Sequence, residues 1–484
     1  MSIMQTTSPR SLGMGIERPA DGLVLGAAIV AAVLTDLAVR SGVAGVAGTL
    51  LVVAVVAGVL ASGRVAGLQA AGVVAAALPF GVCLSLRMSP WLLPLDILAI
   101  GGLLVFGASL GRGGSLLDLP VPNILVRALH ALGHGLAAPA FVAAPLERRR
   151  SAAVLRGAAL AIPLLVVLGL LLASADAVFA GLFQWWSPLT VIGHAVLLGI
   201  GAWGMAGLLR VASAEPAPAA PRLPYRLGHV EATVIVGSLL VLFAAFAVAQ
   251  VVAASGGGRH VLETAGLTYA EYARSGFFQL LAVAGISLVS LIGLRAATDL
   301  SDPAHARRFT VMAEAVLALT MVIVAVALRR LGLYQDAYGL TMLRLYSSVF
   351  AVWIGVVLVL AGLGLAGVAA ERAWFPAAAM VAGLALLLGL NIANPEAMVV
   401  QHNVDRAAKT QKVDPTYLAE LSDDAVPELV RALPRLPEPA AHEVVNSVCA
   451  GEAGPFDGWA AFNTSRRRAM DARRQVCSPG VTRR

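Results

Sequence analysis

The chain has 484 residues, of which 58% are hydrophobic and only 13% are charged, with a mean hydropathy of +0.82 and a formal net charge of +7. Soluble globular domains carry about 25% charged residues, so this composition excludes a soluble fold and places the apolar residues in long runs. All but two of the 35 basic residues are arginines, standing singly or in short groups at the ends of apolar segments. That placement excludes a nucleic-acid surface and fits the positive-inside rule and contact with anionic headgroups.

Residues 1–21 hold Arg10, Glu17, Arg18 and Asp21 without an apolar stretch. They read as a cytoplasmic N-terminal segment rather than a cleaved signal peptide, and the first apolar run stays as a membrane helix. Roughly 20 apolar residues cross the hydrocarbon core. By that measure eleven spans are predicted near 22–39, 43–61, 65–86, 91–110, 154–174, 189–210, 231–253, 277–295, 309–328, 345–369 and 374–393. The first four make an N-terminal membrane region over 22–110, with Ser62-Gly63-Arg64 forming a tight hairpin between the second and third. Residues 111–153 are interrupted by Asp118, Arg127, His130, His134 and the run Glu147 to Arg150. They read as an amphipathic segment along the interface, with arginines toward anionic lipid. Two spans follow in 154–211, then a Pro/Ala-rich linker over 212–228, then five spans in 229–393. No internal repeat relates the two sides of the linker. Residues 394–484 form a soluble tail in which Tyr417, Leu418, Leu421, Val426, Leu429, Val430 and Leu433 recur at near-helical spacing. Asp423 and Asp424 suit a helix start there. The fold class is therefore all-α: a polytopic helical membrane protein with about 11 transmembrane helices and a small helical soluble C-terminal tail.

With the N-terminus in the cytoplasm, alternate loops gather sixteen arginines inside and seven outside. An odd number of spans then leaves the tail outside the cytoplasm. Cys83 lies in an apolar run, while Cys449 and Cys477 are the only cysteines of the tail. That pair reads either as a disulfide in an oxidising compartment or as two unrelated thiols in a reducing one.

Ionisable groups within membrane spans are expensive, and each asks for a reason. On this topology Asp36, Asp96, Asp176, Glu271, Arg274, Asp336, Tyr338, Arg344, Asn391 and Asn394 fall at the outer level, with His194 and Glu263 nearby. Glu231 and Glu314 lie toward the cytoplasm. The functional reading is a polar cavity open to the outside for a solute, an ion or a partner. The bland reading is that helix ends sit near water, where charge is cheap. Two segments stand out, Tyr269 to Gln279 and Tyr334 to Tyr346, each pairing tyrosines with one carboxylate and one arginine at a helix entrance. Tyrosine rings suit the membrane interface, Thr341 can cap the helix beginning near Leu343, and Glu271–Arg344 or Asp336–Arg274 pairs could link the two entrances.

These two segments resemble signatures of the uncharacterised bacterial membrane family called "domain of unknown function 4173". So do Leu390 to Ala397 with Asn403 and Arg406, Tyr417-Leu418, Leu421 to Pro427, and Trp459 to Asn463 with Arg466. The resemblance covers roughly 150–470. It implies an architecture and no established activity. Some relatives carry sensor-kinase labels, which do not transfer because the chain has no kinase ATP-binding domain.

Catalytic patterns find no support. Gly107-Ala108-Ser109-Leu110-Gly111 matches the nucleophile elbow only in letters, since it ends a membrane helix instead of joining a strand to a helix. His130 and His134 share the spacing of two metal ligands but have no third nearby. His442 to Asn446 lacks the second histidine of H-E-x-x-H, and Ser255 to Arg259 lacks the lysine of a P-loop. Asn463-Thr464-Ser465 fits a glycosylation acceptor, to which the bacterial source implied by the resemblance gives no weight. No metal and no cofactor are expected. The expected role is a non-enzymatic envelope protein that scaffolds or senses through its outer face and tail. A transporter or channel using the outer carboxylates is the first alternative, and a membrane-embedded enzyme the second. The bilayer is one partner; the tail offers a surface for a second, unknown protein; nucleic acid is not expected.

Overall fold

The computed structural model describes residues 18–111, 113–147, 188–220, 226–252, 276–368, 373–451 and 458–477, together with positions 16, 161, 168, 171 and 172. These residues form two compact units, Met1–Leu116 with Val121–Ala220 and Gly454–Arg467, and Leu117–Pro120 with Pro221–Ala453 and Arg468–Arg484.

The first unit contains α1 (Gly22–Arg40), α2 (Val46–Ala61), α3 (Leu68–Ala75), α4 (Ala77–Leu86), α5 (Leu93–Leu110), α6 (Val121–Leu136), α7 (Ala138–Glu147) and α8 (Pro188–Ser213). Asp21 starts α1 by accepting the Val24 amide at 3.0 Å, satisfying one of the donors a helix start leaves open. Ala76 alone separates α3 from α4. Pro79 supplies the reason, because it has no amide to donate and its ring crowds the carbonyl four residues earlier. Arg64 ties the unit together at one end. Its guanidinium donates to Ser213 Oγ at 2.5 Å, to the carbonyls of Arg18 and Pro19, and to Asp21 Oδ2 at 2.9 Å.

α6 departs at Arg127 from the expectation that the arginines of 111–153 face lipid. Its leucines face outward, Leu125 at 62% and Leu129 at 61% exposed, whereas Arg127 and His134 are buried. Arg127 donates to the carbonyls of Ser109 and Gly113, where α5 ends and its last carbonyls need donors. Lipid is as apolar as leucine, so the polar face gains more from the protein than from the bilayer.

The second unit contains α9 (His229–Val252), α10 (Phe277–Ala297), α11 (Pro303–Tyr338), α12 (Met342–Leu365), α13 (Phe375–Ala393), α14 (Pro395–Thr410), α15 (Pro415–Ala419), α16 (Val426–Ala432), α17 (Glu438–Ala450) and the larger part of α18 (Thr464–Val476). Its membrane core joins Val236, Phe243, Phe277, Phe309, Val316 and Leu358 around the fully buried alanines Ala284, Ala313, Ala327 and Ala351. Small residues at these contacts let helix backbones approach, the usual means of packing in lipid. Val241, Val289 and Ile286 point out instead. A separate core of Val400, Val404, Leu418, Leu429, Val444 and Ala469 belongs to the tail.

Among the described residues nine helices are long and apolar enough to cross a membrane, with α3 and α4 counted together as the one span Leu68–Leu86. They match nine of the predicted spans. The predicted 43–61 is α2, an apolar helix of 16 residues, and 154–174 lies almost wholly outside the described residues. The chain is a polytopic helical membrane protein. α11 is longer than its predicted span, with 36 residues or about 54 Å. Its apolar stretch between Arg308 and Arg329 matches the roughly 30 Å hydrocarbon core, so the segment from Arg329 to Tyr338 carries the helix beyond it.

Candidate functional site

In the first unit, Asp36 on α1 faces His194 on α8, whose Nδ1 lies 2.7 and 2.8 Å from the two carboxylate oxygens. Arg40, one turn further along α1, donates to Asp36 Oδ1 at 3.1 Å and to the Thr190 carbonyl at 3.0 Å. The carboxylate thus holds a histidine and an arginine against the start of α8. Asp96 is buried in the first turn of α5, where the helix dipole favours a negative charge. Asn463 is buried as well, and its amide donates to the carbonyls of Leu84 and Arg87 at 3.1 and 3.0 Å. These bonds place residues 458–467, read from the sequence as part of the soluble tail, with the first unit.

In the second unit the turn between α11 and α12 meets the tail. Gly339 takes a φ of +83°, and a Cβ there would strike Asn403 Oδ1, so only glycine fits. Asn403 on α14 accepts the Leu340 amide at 3.0 Å and donates to the Leu340 carbonyl at 2.7 Å. One side chain therefore serves both polar groups of a buried residue. Arg406, one turn later, donates to the carbonyls of Asp336 and Ala337 at 2.9 and 2.5 Å, closing the C-terminus of α11. Arg344 donates to the Gly339 carbonyl and lies 4.1 Å over the Tyr334 ring, a cation–π arrangement. The Met342 amide donates to the Tyr417 hydroxyl at 2.7 Å, and Thr341 caps α12 through the Arg344 amide. Burial pushes the Tyr417 hydroxyl above its ordinary pKa, the Met342 bond opposing that shift.

At the start of α14, Asn394 accepts the Ala397 amide and donates to the Asp424 carbonyl at 2.9 Å. Glu396 is buried, and its Oε2 accepts both the amide and the hydroxyl of Ser422 at 2.7 Å. Asp423 pairs with Arg473 at 2.8 Å, and Cys449 and Cys477 are joined in a disulfide with Cα atoms 5.6 Å apart. The expected helix start at Asp423 and Asp424 is a turn ahead of α16, where one residue gives its carboxylate to α18 and the other its carbonyl to Asn394.

The described members of the outer set occur in both units. Asp336, Tyr338 and Arg344 gather at the α11–α12 turn, and Asn391 and Asn394 end α13. Asp336 contributes its carbonyl rather than its carboxylate, and the exposed Tyr338 ring lies 5.0 Å from that of Tyr334. Asp36 and Asp96 belong to the first unit. Asp176, Glu271 and Arg274 lie outside the described residues, as do the two ion pairs imagined between the helix entrances. Arg344 donates to the turn it follows.

One carboxylate left out of that cluster occupies a cleft. Glu314 on α11 faces Gly362 on α12 in a cavity of about 610 Å³ walled by Leu317, Met321, Leu358, Val359 and Leu363. Its Oε1 is buried and has no hydrogen-bond partner among the described residues. Its signal in the sequence was its isolation, as the single ionisable residue between Arg308 and Arg329. Elsewhere, His229 and His305 stack with ring centroids 3.8 Å apart at the starts of α9 and α11. Beside them the Ala304 amide holds the Asp302 carboxyl below its usual range. Among the described residues no three His, Cys, Asp or Glu side chains come together as a metal site. Ser109, the serine of the elbow-like letters, donates back to the Phe106 carbonyl inside α5.

Fold and contacts together define a multi-span helical membrane protein whose helical tail is bonded onto the end of a membrane helix. Residues 74–432 match the family described as a domain of unknown function, DUF4153, and the chain belongs to that family. The resemblance drawn from sequence segments was to the family numbered 4173; the match corrects the number, begins earlier in the chain, and stays with an uncharacterised domain. No curated protein and no solved structure matches the chain.

Proposed function

We propose that the protein is a non-enzymatic scaffold or sensor of a bacterial cell membrane, with a cytoplasmic N-terminus and its C-terminal helical module held outside the cytoplasm. The observation that carries this reading is the pairing of Asn403 with both backbone groups of Leu340. Together with Arg406 and Tyr417 it makes the tail a fixed extension of α11 and α12, which suits a part that presents a surface or passes on a change in the membrane. Of the polar groups that sequence alone offered for transport, Arg344 is used there in holding the chain. The Cys449–Cys477 disulfide supports an oxidising location for the tail.

A photo-crosslinking residue at exposed tail positions, Glu420 or His442, tests the role in the native membrane. A discrete protein adduct that weakens when Asn403→Ala loosens the tail is the expected result. Absence of any adduct from either position, with solute uptake altered by deleting the protein, would replace scaffolding with transport. The placement of the tail has its own test. Membrane-impermeant maleimide should label Cys449 and Cys477 in intact cells only after reduction; labelling confined to lysed cells would move the tail to the cytoplasm.

A further inference from the structure

We propose that the cleft between α11 and α12 binds a membrane-soluble organic cation, with Glu314 as its counter-ion. The site is independent of the tail and of the scaffold reading. Its volume of about 610 Å³ lies within the roughly 300–1,000 Å³ typical of small-molecule sites. Leu317, Met321, Leu358 and Leu363 give it hydrocarbon walls, and Glu314 supplies the one charge among the lining residues.

That charge stands about 9 Å along the helix from Arg308, inside the apolar stretch of α11. No ion pair to it occurs among the described residues, and its buried Oε1 lacks a hydrogen-bond partner there. A carboxylate placed in hydrocarbon without a partner is costly, and such residues mark the paths and sites of ligands. The opposite helix is shaped to leave it room. A Cβ at Gly362 would come within 3.2 Å of Glu314 Oε2, and a longer side chain would fill the cleft. Apolar walls select a hydrophobic body, and the single carboxylate selects a positive charge; neither favours an anion or a hydrated metal ion.

The test uses full-length protein in nanodiscs of phosphatidylglycerol alone, where no ammonium headgroup competes. Tetraphenylphosphonium is the probe, and tetraphenylborate is its anion of matching shape. Saturable binding of the cation and none of the anion is expected, with at least tenfold weaker binding in Glu314→Gln and loss in Gly362→Leu. Asp336→Asn, remote from the cleft, should bind as the wild type does. Equal binding by wild type and Glu314→Gln, saturable binding of both ions alike, or no saturable binding of the cation would each overturn the proposal. So would displacement of the cation when phosphatidylethanolamine replaces half the lipid, which would assign the cleft to a lipid amine.

Discussion

α11 carries two polar neighbourhoods of opposite character. Where it ends, at the Gly339 turn, Asn403, Arg406, Arg344 and Tyr417 all use their polar atoms on the chain's own backbone. Several turns back, Glu314 holds a carboxylate oxygen that is buried and answers to nothing in the described protein. Buried polar atoms that are satisfied make a structure specific, whereas those left open cost stability and imply something absent. The contrast separates architecture from site more sharply than the position of a charge along the membrane normal.

The comparison breaks first at Asn403. Asn403→Ala orphans both polar groups of Leu340, and the free energy of opening the tail amides, followed by hydrogen exchange, should fall by about 4 kcal/mol. A loss below about 1 kcal/mol would show that the turn is not held by this residue. Next, Cys449→Ser frees a loop with a sequence separation of 28. The α17–α18 region should lose about 3 kcal/mol, and reduction of the wild type should reproduce it. Tyr417→Phe removes the acceptor of the Met342 amide and should cost about 1 kcal/mol.

Tyr417 also sharpens the picture through pH. Its folded-state pKa is raised, chiefly by burial, so its contribution is complete below the ordinary tyrosine value of about 10. It is lost as pH rises through the folded value. Tyrosinate absorbance in Tyr417→Phe against wild type should show the late titration missing. The smallest effect is expected at the cleft. Glu314→Gln should leave thermal stability unchanged to within about 0.5 kcal/mol or raise it, because no bond within the described chain depends on that charge. A large loss there would make Glu314 one more structural residue.

Much of the fold was legible because a run of 20 apolar residues has few other uses, and nine helices fall where hydropathy placed them. Helix ends were less legible. Hydropathy stops at Leu328, yet α11 continues to Tyr338, since a helix that has left the hydrocarbon need not be apolar. The break at Ala76 was written in Pro79 but hidden inside an otherwise uniform run. Arg127 was sent to the lipid because an amphipathic pattern defines two faces without saying which one meets protein. The partners of the outer polar residues were equally hidden: sequence sets those residues at a common depth, while the partner of each depends on which turn it meets. Asn403, Arg406 and Tyr417 were present in the quoted segments, but nothing local reveals that their partners lie about seventy residues away. Glu314 was set aside for lying nearer the other side, although its isolation was the better signal.

Asn394 carries a mechanical consequence. It sits in the left-handed region at φ 57°, ends α13 through its amide to the Leu390 carbonyl, and begins α14 through its side chain. Since one residue is the last of one rod and the first of the next, the joint has no spare torsion in which to lose motion. A change in the tilt or roll of α13, as bilayer thickness varies, would turn α14 and the helices packed on it by a comparable angle. The tail behaves as a pointer on a shaft, and Asn394→Gly would fit that shaft with a swivel.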